Sequence, residues 1–465
     1  MLLLSRQNNK TTDKEVSYVQ GRTSQYRCAY ISAGAYASHE DIPHGPLFSD
    51  KRKLRWNERA TTFQAILMTW DGSSTLKDRF HHARNCLIKM FPFKRRPGKS
   101  YQGFIKARTK LTKNIYESLQ KHLGQHHKRI ARSFWRIDGW IPLAVDGSLF
   151  KTPRTKANEA EIGCAGRDKA SPQITATVLY HVGTGLPWDW RMGSGKTSER
   201  SLLRQMLNKL PEKTLLIGDA GFIGFELFKK LLSYDVSFLI RLSSCVTLLT
   251  GLTDLALEHQ RQGNIVWIWP GNKRNQKPLT LRLIHLKSKN RSKYSRGLKD
   301  VYLVTNILKN EALSDEQAGE FYKKRWGIEV LFRSFKESFE HRKLRSRAPQ
   351  QAYDELYWCM VSLLLLAMMS VSALVKKKQP PSCFSVTSAL RIVRYAMRDY
   401  HVWRYKGDIR VLLVKAVLDE YQRSSSKESR DWPRKKQDSP PLPPKIRPAT
   451  EDEITCAERI YGVAS

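Results

Sequence analysis

Ile141-Pro142-Leu143-Ala144-Val145-Asp146-Gly147-Ser148 sets five apolar residues ahead of one acid and two small residues. A run this short and this apolar reads as a buried strand, with Asp146-Gly147-Ser148 as its end. The pattern repeats at Leu215-Leu216-Ile217-Gly218-Asp219-Ala220-Gly221. In an α/β sheet the strand ends open on the crevice where ligands bind, and small residues there let a substrate backbone approach. Either acid alone is more simply a turn opener.

Around these two runs the texture alternates. Gln173 to His181 reads as a strand that turns at Gly183-Thr184-Gly185 and returns from Leu186 to Arg191, a hairpin signal. Ser198-Glu199-Arg200 opens an amphipathic helix to about Leu210. Phe225 to Leu232 reads as another helix and Val236 to Ile240 as another strand. This order predicts a mixed sheet covered by helices, an α/β class. From residue 243 to about 300 the alternation stops. Ile265-Val266-Trp267-Ile268-Trp269 and Leu279 to Leu286 are β-like, separated by basic turn-rich segments, and read as a β-rich insertion. Val301-Tyr302-Leu303-Val304 resumes as a strand, and a long helix is expected from about Ser314 to Phe339.

That helix carries the third acid. At about 3.6 residues per turn, Tyr322, Arg325, Glu329 and Lys336 fall within an arc of roughly 60°. Phe321, Ile328, Phe332, Phe335 and Phe339 gather in a neighbouring arc that would dock on the core. A solvated face produces such a row by chance as well. Three converging carboxylates push one another's pKa values up, and become sensible when divalent cations neutralise them. Hard oxygen ligands suit Mg²⁺, and two such ions serve an in-line displacement at phosphorus. Arg325, as a fork, and Lys336, as a point charge, would then hold neighbouring phosphates. The chemistry implied is phosphodiester transfer on DNA or RNA.

The composition points the same way. The 465 residues carry 81 Lys and Arg against 43 Asp and Glu, a net charge of +38. With 41% hydrophobic residues the chain buries a sizeable core, which excludes a disordered basic tail. Nucleic acid is the commonest partner of such a charge, although compact acidic substrates and anionic membranes meet the same description. Between Lys89 and Arg136 stand fourteen Lys and Arg, one acid (Glu117) and seven aromatics, Phe91, Phe93, Tyr101, Phe104, Tyr116, Phe134 and Trp135. That mixture suits phosphate pairing and base stacking. Seven scattered cysteines without a close pair argue against disulfide and zinc frameworks. Met1-Leu2-Leu3-Leu4-Ser5-Arg6 is too short in apolar residues for a signal peptide, so a cytoplasmic chain is expected. Trp358 to Val375 has the length of a membrane span, but Ser362, Ser370 and Ser372 and the isolation of the segment favour a buried helix.

Tyr322, two residues, Arg325, three residues, Glu329, six residues, Lys336 resembles the Tyr-Arg-Glu-Lys signature of bacterial insertion-sequence DDE transposases of group four. Asp146-Gly147-Ser148 and Gly218-Asp219-Ala220-Gly221-Phe222 are similar to that family's two aspartate motifs, and the resemblance runs from about Trp140 to Arg345. It implies an RNase H-like catalytic core with a β-rich insertion, flanked by mainly helical N- and C-terminal regions. The expected organisation is a basic, mostly helical DNA-binding region over 1–135 and the core's first part over 136–242. The insertion over 243–300 and the core's second part over 301–345 follow. A C-terminal helical region over 346–422 and a disordered tail over 423–465 complete it. The resemblance further implies that Asp146, Asp219 and Glu329 bind two Mg²⁺ ions, with Mn²⁺ as a substitute. Tyr322, Arg325 and Lys336 would hold the DNA end.

The implied activity is Mg²⁺-dependent cleavage and strand transfer at the inverted repeats of an insertion sequence. Its partners are double-stranded DNA, as transposon ends and target, and a second protomer bridging two ends, in a bacterial cytoplasm at the nucleoid, with no membrane. A related nuclease, or a basic DNA-binding protein without catalysis, is the alternative. Trp267 and Trp269 are candidates to stack a flipped base, against a simpler role in a β core. Gly193-Ser194-Gly195-Lys196-Thr197 lacks the first glycine of a phosphate-binding loop, where Trp190 stands. His81-His82 and His126-His127 have no ligand at zinc spacing.

Overall fold

The computed structural model describes residues 54–90, 96–110, 113–164, 170–252, 264–287, 300–398, 409–418 and 442–461. The first 53 residues of the expected DNA-binding region, Phe91 and Phe93 within it, and residues 423–441 of the expected tail lie outside the described residues. Contacts divide the chain into two units. One combines the described residues up to Ile130 with Asp354–Leu418, and the other combines Ala131–Tyr353 with the described residues after Asp419.

Among the described residues, four helices open the first unit: α1 (Glu58–Trp70), α2 (Leu76–Met90), α3 (Tyr101–Thr109) and α4 (Lys113–Ile130). Asn57 caps α1 by accepting from the Ala60 N–H at 2.8 Å, and every residue from Ala60 to Trp70 is buried. A helix buried on all sides sits inside a bundle, and its buried Thr61, Gln64 and Thr69 find hydrogen bonds there, to Asn57 O, Phe80 O and Ala65 O.

The second unit holds β1 (Ile141–Lys151), α5 (Lys156–Glu161), β2 (Gln173–His181), β3 (Leu186–Ser194), α6 (Glu199–Arg204), β4 (Thr214–Gly218), α7 (Phe225–Ser233) and β5 (Ser237–Arg241). It continues through β6 (Thr247–Thr250), β7 (Ile265–Ile268), β8 (Leu279–Leu286), β9 (Val301–Thr305), α8 (Asp315–Lys324) and α9 (Gly327–Glu337). The chain then returns to the first unit with α10 (Pro349–Lys376), α11 (Val386–Arg398) and α12 (Ile409–Leu413), and ends in the second with β10 (Lys445–Pro448) and α13 (Glu451–Tyr461). Helix α10 is long and apolar enough to cross a membrane, yet 94% of its most apolar window is buried in protein. The Trp70 indole N–H donates to its Ser362 carbonyl at 3.1 Å.

One sheet of ten strands, ordered β10-β6-β7-β8-β9-β5-β4-β1-β2-β3, organises the second unit. β1 runs antiparallel to β2, and β2 to β3, whereas β1, β4 and β5 are mutually parallel neighbours. The insertion does not fold apart from this sheet. β9 pairs antiparallel with both β5 and β8, so β6, β7 and β8 extend it and cover what would otherwise be an open edge at β9.

Side chains alternate across the sheet, as a period of two requires. Leu216 on β4, Phe238 and Ile240 on β5 and Val304 on β9 face a core with Phe225, Phe228 and Leu231 of α7. Leu215, Ile217, Leu239 and Leu303 face the other way, onto Ala318 and Phe321 of α8. Phe228 and Phe238 stack at 4.5 Å, a contact worth about 1 kcal/mol beyond the area it buries.

Two expectations are corrected by this architecture. The tail over 423–465 contains ordered structure: β10 adds parallel to β6, and Ala449, Ile454, Ala457, Ile460 and Tyr461 pack against the insertion's core. A Ser-, Pro- and charge-rich average conceals so short an amphipathic helix. β1 does not end at Asp146 either. What stops at Ala144 is its pairing with β4, while its pairing with β2 continues to Lys151.

Candidate active site

Parallel pairing sets Ala144 level with Ile217, so Asp146 and Asp219 each stand two residues past the last shared rung of β1 and β4. β1 there parts from β4 and opens the crevice between them. Asp146 accepts from the Gly147 N–H at 2.8 Å, and Asp219 accepts from the Gly221 N–H at 2.8 Å as the cap of a single 3₁₀ turn. Burial pushes the Asp146 carboxyl up to about 7 against its Gly147 hydrogen bond, and the charges of Asp219 and Glu199 add to the rise while Arg325 opposes it.

The long helix expected over Ser314 to Phe339 is two helices. Arg325 and Trp326 form the joint, where the Trp326 N–H donates to Lys323 O and the Glu329 N–H to Trp326 O, bonds of 3₁₀ span. Tyr180 of β2 comes so close at this joint that a Cβ on Gly327 would stand 2.7 Å from its hydroxyl oxygen. The single arc drawn for Tyr322, Arg325, Glu329 and Lys336 therefore divides, two residues ahead of the bend and two in α9. Phe321 anchors α8 on the sheet. Phe332 and Phe335 hold α9 against Phe150, with ring centroids 6.4 and 6.3 Å apart, a few residues along β1 from Asp146.

Arg325 is the hub. Its Nη2 donates to Glu329 Oε1 at 2.7 Å, and its guanidinium lies 5.5 Å over the Tyr322 ring. Burial opposes the Arg325 charge, but Tyr322, Glu329 and Asp146 outweigh it and raise its pKa. Lys336 sits 5.7 Å over the Phe150 ring, its pKa lowered by burial and by Arg342, with Asp146 opposing. The Tyr322 hydroxyl and Arg325 Nε are buried with no hydrogen-bond partner in the protein. Donors buried without partners are costly, and are the groups a ligand's oxygens satisfy.

The structure thus gathers Asp146, Asp219, Arg325 and Lys336 through their mutual charges, and ties Glu329 to Arg325. It also adds Glu199, which sequence reading took only as the opening of a helix. Among the described residues no three His, Cys, Asp or Glu side chains are close enough to cage a metal ion as they stand. The donor set nonetheless fits a hard divalent cation, because half-buried carboxylates that raise one another's pKa, as Asp219 does that of Asp146, are what such an ion neutralises. Trp267 and Trp269 are core residues of the insertion, and Trp269 donates to Lys273 O and Gln276 O at 3.1 and 2.8 Å. The exposed tryptophan beside the site is Trp326, 54% accessible at the joint.

Residues 141–365 match the family described as the transposase DDE domain. The transposase InsG for insertion sequence element IS4 of Escherichia coli is 24% identical over 304 residues, 62% of this chain and 65% of that protein. The transposase assigned to insertion sequence element IS4SA of Synechocystis is 20% identical over 249 residues, 50% of this chain and 67% of that protein. The chain thus spans just under two thirds of the Escherichia coli relative's length. A solved piggyBac transposase synaptic complex with hairpin DNA aligns over 88% of this chain and 84% of its own, at 14% identity and a TM-score of 0.39, too loose to add to the assignment. Residues 141–365, which contain both strand-end aspartates and the segment from Tyr322 to Lys336, thus match the transposase DDE domain, and the chain is similar to transposases of bacterial insertion sequences.

Proposed function

We propose that this chain binds the inverted terminal repeats of its insertion sequence and cleaves and joins DNA there, with an RNase H-like core and Asp146, Asp219 and Glu329 as its catalytic carboxylates. The observation that carries the reading is the pair of strand-end aspartates level on adjacent parallel strands, facing the bent helix pair that presents Arg325 and Glu329. The strand order β3-β2-β1-β4-β5, with only β2 antiparallel to the other four, supports the fold part of it.

Asp146, Asp219 and Glu329 would hold two divalent cations, Mg²⁺ or Mn²⁺. When bound, such ions supply the charge that neutralises the carboxylates and stabilises the phosphorus under attack. The chain's own part is orientation. Arg325 and the Tyr322 hydroxyl offer their unpartnered donors to non-bridging phosphate oxygens, and Lys336 adds a cation beside the next phosphate. Glu329 leaves Arg325 as a phosphate arrives, which frees the carboxylate for the cation and the guanidinium for the DNA. Trp326 offers an open ring to a base beside the cleavage point. Two protomers would bridge two ends in the bacterial cytoplasm.

The test is strand cleavage on DNA carrying the inverted repeats that flank the coding sequence, with wild type and Glu329→Gln side by side. Nicks at the repeat ends with Mg²⁺, absent in the variant although it still binds, are the expected result. Binding without cleavage in Mg²⁺ or Mn²⁺ by the wild type would favour the non-catalytic DNA-binding alternative.

A further inference from the structure

We propose that the turn between β7 and β8, with the adjoining sides of α6 and α7, is a second DNA-contact surface, which holds phosphates of the duplex leading away from the cleavage point; this rests on the function proposed above. Gly271-Asn272-Lys273-Arg274-Asn275-Gln276-Lys277 carries three cations and three amides and no acid. A basic turn by itself is more often a solvated one. Here the turn is built around a ring. The buried Trp269 indole N–H donates to both Lys273 O and Gln276 O, at 3.1 and 2.8 Å. The Arg274 guanidinium lies 4.3 Å over the same ring and is held by Glu453. Asn272, Asn275 and Lys277 are left exposed on a turn whose backbone is already ordered.

Contacts carry this turn to α7, and from there to the site. Lys273 Nζ lies 2.9 Å from Glu226 Oε1, and Lys229 Nζ donates to Gln276 Oε1 at 2.9 Å. Lys273 holds the Glu226 carboxyl below its ordinary range, and Lys229 and Arg204 add to that, so three cations surround one acid. Arg204 ends α6, and Arg200, four residues earlier, shares its side of the helix. Arg200 Nε donates to Gly221 O at 2.7 Å, in the loop that follows Asp219. A Cβ built on Gly224, just ahead of α7, would stand 3.1 Å from Arg200 Nη1. Cations therefore run from the Asp219 loop, over the start of α7, to the basic turn. A duplex cut beside Asp219 has to continue past one side of it. Its backbone needs positive charge along that path, which lysines supply without reading bases.

The experiment uses the full chain in chelator, so that binding is read without cleavage, on duplex DNA carrying a repeat end with sequence on both sides of it. The variant combines Lys229→Gln, Lys273→Gln and Lys277→Gln, which removes three charges and keeps side chains able to hydrogen-bond. Circular dichroism melts should match wild type. Affinity is expected to fall about tenfold or more at about 150 mM salt, and the slope of log K against log salt to become shallower by about 2 to 3. Phosphate ethylation should show one run of phosphates that matters to wild type and no longer to the variant. The side of the cut on which that run lies tells element DNA from flanking DNA. An unchanged salt slope overturns the proposal. Weaker binding with the wild-type ethylation pattern overturns it as well, because it marks a loss of general charge and not of a contact. If wild type shows no ethylation interference anywhere at the repeat end, the proposed function itself falls, and this surface with it.

Discussion

Two regions of the same sheet treat their carboxylates in opposite ways. Where β1 and β4 part, burial and the charges of Asp219 and Glu199 hold Asp146 up at about 7. Where β10 closes the far edge, Glu453 of α13 accepts from Arg447 at 2.8 and 2.7 Å, from the Thr450 N–H at 3.0 Å, and from Arg274. Those hydrogen bonds hold Glu453 down to about 2. Acids in one region weaken the metal-free fold, and the acid in the other strengthens it. The difference separates groups kept for a ligand from groups kept for the chain itself, a distinction that residue type alone does not make.

The sharpest break of this comparison is Asp146→Asn, for which activity and stability should move in opposite directions. Strand cleavage should fall on the order of 10³-fold or more, since a cation ligand is lost. Without metal the same variant should melt higher at pH 8. The sign follows from linkage: a carboxyl whose pKa is raised on folding stays protonated longer in the folded chain, so stability falls as pH climbs from the ordinary carboxylate range through about 7. Asn keeps an oxygen for the Gly147 N–H and removes that loss. A lower melting temperature for Asp146→Asn at pH 8 would mean that Asp146 serves packing, and the contrast between the two regions would collapse.

How much of this was legible in the sequence follows from the same physics. Apolar runs closing on Asp146 and Asp219 were readable because buried strands leave no other pattern, and their levelness is the register of β1 with β4. The spacing from Tyr322 to Lys336 was readable as a motif, but the joint at Arg325-Trp326 was not. It stands where Tyr180 meets Gly327, a contact between residues distant in the chain. Glu199 was legible only as a local helix signal, because its proximity to Gly147 exists only once β1, α6 and β4 have assembled. β10 and α13 were hidden for a related reason. Their few apolar residues become a pattern only against the edge strand they complete.

Phe238→Ala tests whether the two regions are one cooperative unit. Phe238 lies on β5, midway along the sheet, fully buried and stacked on Phe228. Truncation should cost about 3 to 5 kcal/mol. Urea unfolding followed separately by a probe near Trp188 and a probe near Trp269 should shift to the same lower midpoint. Two separated midpoints would show that the extension unfolds independently of the site-bearing strands.

Trp326→Ala sharpens the contrast from the ligand side. Its ring is open to solvent, so removing it should leave the melting temperature within about a degree. Affinity for terminal-repeat DNA should fall by about 1 to 3 kcal/mol if a base stacks there. Unchanged affinity in an otherwise native variant would leave the exposed ring without a role in DNA contact.

The smallest effect belongs to the far end. A carboxylate held at about 2 contributes stability above the ordinary glutamate range, and loses it as pH falls from about 4.5 toward 2. Acidification within that window should therefore release β10 and α13 before the rest of the sheet, because Glu453 joins the Arg447 and Arg274 side chains to that segment. Hydrogen exchange, corrected for intrinsic rates, should show amides of 445–461 losing protection between pH 5 and pH 3 while those of β4 and β5 keep theirs. Glu453→Gln should show the loosened segment already at pH 7, with little further change on acidification. If protection over 445–461 is instead flat in wild type from pH 5 to pH 3, the segment is held by Ala457, Ile454 and their apolar neighbours alone. The charge contrast between the two regions would then reduce to the site's own repulsion.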